Sequence, residues 1–558
     1  MPGESSNVGA DVGGVDSQNF DENFVKLHLS TAELGDIANL ERDSFLQSVR
    51  PSPLDSELLS ASESDVEKGC MRGPFHSVHE VGSFLYPKGP IGPIVISRRF
   101  GVAQSDKIRP CDDAKRSHLN EAAFIDSKLS LSGVDDFLSL AAYVSETFPD
   151  QETVFFKRDH GAAYRQIPIA PDEIPKAVVV FCHPLSKKKI YYVHTALPFG
   201  AVASVHYYNR VSQAVTHIAR KYLLIPMLSY FDDFFAPVPK DQAWECFRAF
   251  GTLNRILGFE IKEKKDVPPT VTGEILGHII TLGKLPFELH IKEERCMNLR
   301  DIAGTALATG SLSARRAAEL AGKCNFALAA VYGRCGRAMA KPIYARAHMK
   351  STSCRSDYKN PFQGNQLGKG LRLALLWIRD VLPLVPARTY MSRARRAQYI
   401  MYVDATGSGG LGAVLLNTNE VGNHQVYYTC QHFHADDLLG HLKQKVHVYE
   451  TLAAWMGIRA FAHLMPEGGS CDIYCDNILQ QTTLTKGYSR SSDCTNIAHT
   501  VWSWCALKKL DPWFVRVISK DNLADGPSRD RFEILNKMRA VFTPHKGDEI
   551  LRAAIQGK

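Results

Sequence analysis

The sequence predicts a multidomain α+β protein. The chain has 558 residues, which is too long for one hydrophobic core and suggests three or four domains. Short β-branched and aromatic runs indicate strands between about residues 153 and 280, whereas helical spacing of apolar residues dominates between 285 and 390. Strand-like and helical segments then alternate from residue 397 onward.

Composition and signals indicate a soluble intracellular protein, cytoplasmic or nuclear, without a membrane partner. The hydrophobic content of 45% and the charged content of 22% are ordinary for a globular protein. The sequence contains no window of about 18 uninterrupted apolar residues and no secretory signal pattern at its N-terminus. The 13 cysteines are scattered without paired short spacings, as in a reduced protein.

Charge is distributed unevenly along the chain. The net charge is +7, but residues 1–70 hold fourteen acidic and four basic residues, a balance of −10, which leaves +17 for residues 71–558. A basic folded body indicates a polyanionic partner, and a solubilising surface charge is the alternative. The acidic segment 1–67 is predicted to be a disordered leader.

Two adjacent acids, Asp232 and Asp233, lie within the apolar and aromatic run Met227–Pro237. Such a run, bounded by prolines, predicts a buried hairpin. Because burying an unpaired carboxylate costs several kcal/mol, two of them indicate a hard cation bound by oxygen ligands. The simpler interpretation is a tight turn, in which Asp is common.

A third acid, Asp159, ends the β-branched and aromatic run 153–159. An Asp at the end of a strand can meet Asp232 and Asp233 across neighbouring strands of one sheet. These three carboxylates would then hold two Mg²⁺ ions about 4 Å apart.

Two further segments offer contacts for a nucleotide. Arg109 could bind phosphate oxygens bidentately and Lys107 could act as a point charge, although a solvated basic hairpin is the alternative for this segment. Gly200 permits a close backbone approach, and Phe199 offers an apolar face for a base pair.

Four short motifs occur in the order seen in retroelement reverse transcriptases. They are Asp159 followed five residues later by Tyr164-Arg-Gln-Ile-Pro, Leu197-Pro-Phe-Gly, Tyr230-Phe-Asp-Asp and Leu276-Gly-His-Ile. The resemblance extends over roughly residues 68–280. It implies a right-hand polymerase, with fingers and palm in 68–284 and a helical thumb or connection in 285–396.

The resemblance also implies roles for single residues. Asp159, Asp232 and Asp233 would be catalytic and would bind two Mg²⁺ (or Mn²⁺) ions. Tyr164 would lie under the sugar and select deoxynucleotides, with plain core packing as the alternative. The other expected nucleotide-binding residues are Phe199 and Gly200, at the incoming nucleotide and template, and Lys107, Arg109 and Lys265, at the triphosphate. For Lys265 a solvated surface position is the alternative.

The helical segment 285–396 has two interpretations. In residues 312–330, apolar residues at helical spacing alternate with basic residues. These helices could lie along a duplex and contact its backbone without reading sequence. They could equally be amphipathic helices with a solvated face.

A second set of acids follows the pattern of a ribonuclease H-like α/β domain over residues 397–532. Asp404 and Asp476 end predicted strands, Glu450 lies in a predicted helix and Asp525 begins another helix. The form Asn522-Leu-Ala-Asp-Gly-Pro-Ser-Arg is similar to that of retroelement ribonuclease H domains. The resemblance implies that these four acids bind two divalent ions and hydrolyse RNA.

Asp525 has alternatives of its own. A helix N-cap is one role that an Asp at this position could take, and Asp521 is its nearest rival as the fourth acid. Residues 533–558, which follow this domain, are predicted to be a C-terminal tail.

Together the resemblances imply an RNA-directed DNA polymerase coupled to a ribonuclease, as in retrotransposon replication. The expected partners are an RNA template, a DNA primer, an RNA–DNA hybrid and deoxynucleoside triphosphates. Alternatives are a decayed or domesticated copy that only binds nucleic acid, and a DNA-dependent polymerase. The sequence has neither the Asp-Thr/Ser-Gly motif of an aspartic protease nor the zinc motif of a retroviral integrase. This combination resembles tyrosine-recombinase (DIRS-like) retroelements, with Ty3-like LTR elements as the alternative.

Overall fold

The computed structural model shows a mixed α/β protein with several sheets, as the sequence predicts. It describes residues 28–103, 108–125, 129–349, 365–390, 398–418, 425–440, 442, 445–545 and 547–557. The chain divides into two compact units, Met1–Thr270 (unit 1) and Val271–Lys558 (unit 2), rather than the three or four domains suggested by its length. No helix in the described part of the chain is long and apolar enough to cross a membrane.

Unit 1 contains two sheets and seven α-helices among its described residues. The strands are β1 (Met71–Phe75), β2 (Ile96–Ala103), β3 (Ile108–Asp112), β4 (Thr153–Asp159), β5 (Val178–Cys182), β6 (Lys189–His194), β7 (Leu228–Tyr230), β8 (Asp233–Pro239) and β9 (Val267–Thr270). The helices are α1 (Thr31–Ser48), α2 (Asp55–Glu67), α3 (Val78–Leu85), α4 (Leu119–Ala122), α5 (Val134–Thr147), α6 (Val202–Tyr222) and α7 (Ala243–Ile256). One sheet has the order β1-β6-β5-β2-β3 and the other β7-β8-β4-β9.

The sheet β7-β8-β4-β9 is covered by helices on both faces. Adjacent aromatic residues in a strand point to opposite faces. On one face, the Phe137 ring of α5 lies 5.7 Å from the rings of Phe155 and Phe235. On the other face, Phe156 packs against Phe247 of α7 at 5.6 Å. Burial on both faces explains why these strands read as continuous apolar runs rather than as alternating ones.

The prediction that residues 1–67 are a disordered leader is wrong for the part of this segment that the structure describes. Helix α1 begins with a capping box, in which Ser30 and Glu33 exchange hydrogen bonds. Helix α2 buries Leu58 completely against the sheet that contains β1, β5 and β6. The acidic composition suggested disorder, but the few apolar residues in this segment lie on helix faces that pack against the sheet.

Unit 2 begins with an antiparallel sheet and a group of helices. The strands are β10 (Thr272–Ile275), β11 (His278–Thr281), β12 (Phe287–Ile291) and β13 (Arg388–Tyr390). The helices are α8 (Glu293–Thr309), α9 (Ala314–Ala327), α10 (Arg337–Ala347) and α11 (Lys369–Leu376), with a π-helical turn at Trp377–Val381. In α9, the exposed Arg316 and the half-buried Lys323 both pair with Glu319.

The two units divide after residue 270 rather than at the predicted boundary between residues 284 and 285, and the mainly helical segment 285–390 also contains β12 and β13. Ile275 pairs with His278 across a two-residue turn at Leu276 and Gly277, which both have positive φ. This turn is of the kind that joins tight hairpins. Strands β10 and β11 form one sheet with β12 and β13. Residues 271–284 therefore belong to unit 2.

The rest of unit 2 is built on a six-stranded sheet with the order β18-β17-β14-β15-β16-β19. Its strands are β14 (Tyr399–Ala405), β15 (Gly410–Asn417), β16 (Val426–His432), β17 (Ser470–Cys475), β18 (Asp511–Arg516) and β19 (Val541–Phe542). The helices are α12 (Asp436–Leu439), α13 (Val446–Ala460), α14 (Ile478–Lys486), α15 (Ser492–Lys508), α16 (Asp525–Ser528), α17 (Glu533–Lys537) and α18 (Asp548–Gln556). Strands β14, β15 and β16 are antiparallel neighbours, while β17 runs parallel to β14 and β18 parallel to β17.

Most of the segment predicted as a C-terminal tail belongs to this fold. Strand β19 pairs with β16, and α18 buries Leu551, Ala554 and Ile555 in the same core as α13 and α15. The apolar face of α18 requires a partner, and the core of unit 2 supplies it. The folded region therefore extends well beyond the predicted boundary at residue 532.

The packing of α2 provides a test of whether the acidic segment is folded. Replacing Leu58 by Ala should destabilise unit 1 by about 2–5 kcal/mol, because the substitution leaves a cavity beside the sheet. Hydrogen exchange measured by mass spectrometry on peptides from residues 71–194 should then be faster than in the wild type. Leu40→Ala is the matched control, since Leu40 is 86% exposed on α1, and it should leave exchange unchanged. Equal exchange in Leu58→Ala and the wild type would show that α2 does not pack on the sheet.

Two candidate carboxylate sites

The predicted hairpin is present at Asp232 and Asp233, with its strands buried, its two acids half-buried and Asp232 in the tight turn itself. Strands β7 and β8 pair through Tyr230 and Asp233, leaving Phe231 and Asp232 as the turn. Phe231 has a φ of 52°, a left-handed conformation that is unfavourable for a residue with a bulky side chain. The hydroxyl of Ser212 on α6 donates to the Phe231 carbonyl at 2.7 Å, which helps to hold the turn.

Strand pairing brings Asp159 to the same hairpin. Asp159 is the register partner of Asp233 in the antiparallel pair β4–β8. The backbone N–H of His160 donates to the carbonyl of Asp232 at 3.0 Å. The expectation that Asp159 meets the other two acids across neighbouring strands is therefore confirmed.

Two lysines neutralise carboxylates of this first site. The Nζ of Lys157 lies 2.9 Å from Asp233 Oδ1, and the Nζ of Lys265 lies 2.7 Å from Asp159 Oδ2. Burial raises the pKa of Asp233 to about 6 in spite of Lys157, and it also raises the pKa of Asp232. Asp159, Asp232 and Asp233 thus bring carboxylate oxygens together in a partly desolvated place, which is a donor set suited to a divalent cation.

The position of Lys265 differs from both sequence interpretations. Its side chain is 51% exposed, so it is accessible to solvent, yet its ammonium is bound to Asp159. It is therefore neither a free surface lysine nor, in this structure, a group held apart for a triphosphate. Lys157, its counterpart at Asp233, was not singled out in the sequence because a lysine in a strand usually faces solvent.

Sequence reasoning also missed a buried polar group behind the hairpin. The ring of His160 is fully enclosed, with its Nδ1 2.8 Å from the Tyr208 hydroxyl and its Nε2 2.6 Å from Asn254 Oδ1. Burial lowers the pKa of His160, so that the neutral ring accepts from Tyr208 and donates to Asn254. The one available signal was a histidine placed directly after the strand-ending Asp159.

Tyr164, Phe199 and Gly200 form a continuous surface, here called the aromatic wall. The Tyr164 ring lies edge-on to Phe199 at 5.0 Å and to Tyr208 at 5.2 Å. Gly200 has a φ of 111°, and a Cβ added there would lie 2.0 Å from the carbonyl oxygen of Asp112. The predicted close backbone approach at Gly200 is thus present, and it is made to the chain's own strand β3.

The basic hairpin near this wall is described in part. Strands β2 and β3 pair antiparallel, and Arg109 on β3 is exposed with its guanidinium 5.6 Å from the Phe199 ring centre. Lys107 lies outside the described residues. The cation–π contact places a positive charge beside the aromatic wall.

Asp404, Glu450 and Asp476 come together at a second site. Strands β14 and β17 are parallel, with Val403 paired to Cys475, so the acids that follow these two residues lie at the same edge of the sheet. Helix α13 adds Glu450, and one oxygen from each of the three carboxylates lies within 4.8 Å of the others. In the described ranges, no other group of three acids, histidines or cysteines is this compact, so the first site is more widely spaced.

The electrostatics of the second site fit a divalent cation. Burial raises the pKa of Asp404 to about 6. Burial, together with the charges of Asp404 and Asp476, raises the pKa of Glu450 to about 9. The Oε2 atom of Glu450 is buried and has no hydrogen-bond partner. A buried carboxylate with an unpartnered oxygen, close to two other acids, requires either a proton or a metal ion.

The segment around Asp525 also reaches this site. Asp525 adds to the negative charge felt by Asp404, and its Oδ1 accepts from Arg529 Nε at 2.8 Å. It is the first residue of α16, which has no side-chain cap, so the N-cap alternative is wrong. The Ser528 hydroxyl, which sequence reasoning did not single out, donates to Asp404 Oδ2 at 2.5 Å. The rival acid Asp521 lies in a short 3₁₀ helix and acts electrostatically on Tyr402.

Comparison with known proteins gives structural similarity without a sequence match. No protein-family model matches the chain, and no curated protein matches it. It is similar to the foamy viral protease-reverse transcriptase dRH in complex with double-stranded DNA, with a TM-score of 0.48 and 11% identity over 84% of this chain and 72% of that chain.

Two further complexes of the foamy viral protease-reverse transcriptase are similar. The one with double-stranded DNA has a TM-score of 0.47 and 13% identity, over 89% of this chain and 98% of that chain. The one with an RNA/DNA hybrid has a TM-score of 0.44 and 14% identity over 84% of this chain. In that comparison the match covers 55% of the viral chain.

The raised pKa of Glu450 leads to a stability prediction for the protein without divalent ions. Between pH 4.5 and about 9, folded Glu450 keeps a proton that the unfolded chain has released. The free energy of unfolding therefore falls as pH rises through this window, by up to about 1.4 kcal/mol per pH unit. Glu450→Gln should remove this pH-dependent fall in the free energy of unfolding and raise the melting temperature at pH 8 by several degrees.

The measurement is thermal unfolding in EDTA at pH 6 and pH 8. Glu533→Gln is the control, because Glu533 is exposed and its replacement should not change the pH dependence. Addition of Mg²⁺ should stabilise the wild type more than Glu450→Gln, in which the first site is intact and the second has lost a ligand. A Glu450→Gln variant that keeps the pH dependence of the wild type would contradict the proposed protonation of this residue.

Proposed function

We propose that the chain is an RNA-directed DNA polymerase with a coupled ribonuclease H activity. The observation that supports this best is the presence of two separate carboxylate sites, each of which contains acidic residues at neighbouring ends of paired strands. The first is Asp159 with the hairpin acids Asp232 and Asp233. The second is the cluster of Asp404, Glu450 and Asp476. The carboxylate oxygens of each site suit Mg²⁺ or Mn²⁺, and we propose that each site binds two ions.

At the first site the chain's own residues would bind and orient the primer end and the nucleotide. Bound Mg²⁺ would activate the primer 3′-hydroxyl and neutralise the departing pyrophosphate. Tyr164 lies within the electrostatic influence of Asp232 and packs against Phe199, and these two rings would contact the sugar and base of a deoxynucleoside triphosphate. Arg109, exposed at the Phe199 ring, would bind its phosphates. Lys265 could bind a phosphate oxygen in the same way only if its ammonium first released the carboxylate of Asp159.

At the second site the residues would hold the scissile RNA strand of an RNA–DNA hybrid. Divalent ions would activate a water molecule and stabilise the leaving oxygen. Ser528 fixes the orientation of Asp404 through its hydrogen bond. Asp525, held by Arg529, would complete the set as the fourth acid. The unpartnered oxygen of Glu450 is the strongest local sign that a cation belongs there.

We extend this proposal to the organisation of the chain. The two sheets of unit 1 would correspond to fingers and palm, the helices between α8 and α11 to a thumb or connection, and residues 397–557 to a ribonuclease H-like domain. The RNA template, DNA primer and hybrid would be its intracellular partners. Retrotransposon replication is the proposed setting, in a DIRS-like or Ty3-like element.

Selective loss of each activity tests the proposal. Primer extension on an RNA template with Mg²⁺ should fall by at least about 100-fold in Asp232→Asn, because losing a ligand costs more than losing a supporting group. Cleavage of an RNA–DNA hybrid should persist in that variant. Asp404→Asn should show the reverse pattern.

The control for both assays is Asp241→Asn, which removes an exposed acid and should leave both activities intact. A wild-type protein that is folded, binds nucleic acid and is inactive in both assays would favour the binding-only alternative. Extension on DNA templates without extension on RNA would favour a DNA-dependent polymerase.

A further inference from the structure

Unit 1 contains a buried ionic network that links the N-terminal helix α2 to the aromatic wall. It joins five side chains from five separate segments: Asp65 on α2, Arg99 on β2, Asp112 on β3, Arg165 in the 3₁₀ helix Ala163–Gln166 and His194 at the end of β6. The side chains of Arg99 and His194 are 1% and 0% exposed. Asp65 is the one member of the network that comes from the N-terminal segment.

The hydrogen bonds of the network have a consistent direction. Burial lowers the pKa of His194 to about 4, so the ring is neutral, and it lies 2.9 Å from Asp112 Oδ2 through Nε2 and 2.8 Å from Arg165 Nη1 through Nδ1. An arginine can only donate. Nδ1 of His194 therefore accepts from Arg165, and Nε2 donates to Asp112.

Asp65 balances the charge of this network. Its Oδ2 accepts from Arg165 Nη2 at 2.9 Å and from Arg99 Nη2 at 3.4 Å. Two guanidinium groups thus face two carboxylates around a neutral histidine. Without Asp65, two largely buried cations would share Asp112 alone, and an uncompensated buried charge is strongly unfavourable.

The network meets the aromatic wall at two points. Arg165 directly follows Tyr164, donates to the Leu197 carbonyl at 3.3 Å and lies 5.8 Å from the Phe199 ring. Asp112 donates its backbone N–H to the Phe199 carbonyl at 3.0 Å, and its own carbonyl lies against Gly200. Both sides of the wall are therefore held by residues whose side chains belong to the network.

We propose that Asp65 is a positioning residue for nucleotide binding, which makes the N-terminal helix α2 a working part of the first site. Asp65 does not touch the carboxylates of that site, and it acts through Arg165 on the orientation of Tyr164 and Phe199. The inference rests on the proposed polymerase function of unit 1. It goes further because it gives α2, which precedes the residues 68–280 that contain the polymerase motifs, a part in selecting the nucleotide sugar.

The test compares Asp65→Asn with Glu67→Gln in the full chain. Both substitutions remove one negative charge from α2, but Glu67 is exposed and lies outside the network. In primer extension on an RNA template, Asp65→Asn should raise the KM for deoxynucleoside triphosphates at least about tenfold, with kcat within about twofold of the wild type. It should also increase incorporation of ribonucleotides, because Tyr164 is less firmly placed. Glu67→Gln should match the wild type in all three quantities.

Two measurements keep the result interpretable. Thermal unfolding reports whether unit 1 remains folded in Asp65→Asn, and hybrid cleavage, which uses unit 2, reports whether the rest of the chain is unaffected. If it does not, Arg165→Lys serves as the second variant, since it keeps the charge but cannot bridge Asp65, His194 and Leu197 at once; the same rise in KM is expected.

The outcomes separate this inference from the proposed function. A wild type without polymerase activity would refute both. An active wild type with Asp65→Asn, or Arg165→Lys, equal to Glu67→Gln in KM and in ribonucleotide incorporation would refute the positioning role alone. An equal loss of kcat at unchanged KM would also refute it, because that pattern indicates damage to the chemical step rather than to nucleotide placement.

Discussion

Strand register is the constraint on which both carboxylate sites depend. In unit 1 the antiparallel pairing of β4 with β8 sets Asp159 opposite Asp233. A shift of one residue would exchange the two faces of the strand, and Phe155 and Phe156 would then lose their aromatic partners on α5 and α7. The aromatic core therefore fixes the register, and the register places the acids. In unit 2 the parallel pairing of β14 with β17 does the same for Asp404 and Asp476.

Neighbouring carboxylates repel one another, and the two sites reduce this repulsion in different ways. At the first site, Lys157 and Lys265 bind two of the three carboxylates. At the second site, the Ser528 hydroxyl donates to Asp404, and the buried Oε2 of Glu450 has no hydrogen-bond partner. A lysine can be displaced by an arriving cation or phosphate, whereas an orphaned oxygen must remain protonated until a cation binds. The first arrangement favours a site that is remodelled when its ligands arrive, and the second a site that is already shaped for them.

The contacts around the first site extend well beyond its acids. His160 is held between Tyr208 and Asn254 immediately behind the hairpin. On the other side of Tyr164, a network of two arginines and two aspartates surrounds His194. Ion pairs and hydrogen bonds among these groups offset the cost of burying them, while Arg99 Nε and Asp112 Oδ1 have no hydrogen-bond partner. The surroundings of the site are thus held in place by groups drawn from distant parts of the chain.

The sequence by itself determined where the acids lie and which strands or helices carry them. The buried hairpin at Asp232, the strands that end at Asp159 and Asp476, and the helix around Glu450 all follow from local patterns of apolar residues, and the structure confirms them. Local patterns are sufficient there because the periodicity of a strand or helix is written in consecutive residues.

Only the tertiary structure decided the partners of those residues and the limits of the units. The acidic composition of residues 1–67 gave no sign that Leu58 is buried or that Asp65 binds Arg165, and nothing near Lys157 or Lys265 in sequence indicated their aspartate partners. Segment 533–557 was misassigned because its strand and helix pack against elements far away in the chain, and segment 271–284 because its hairpin joins the sheet of β12 and β13. Packing and ion pairing between such distant residues depend on the folded backbone, which local patterns do not encode.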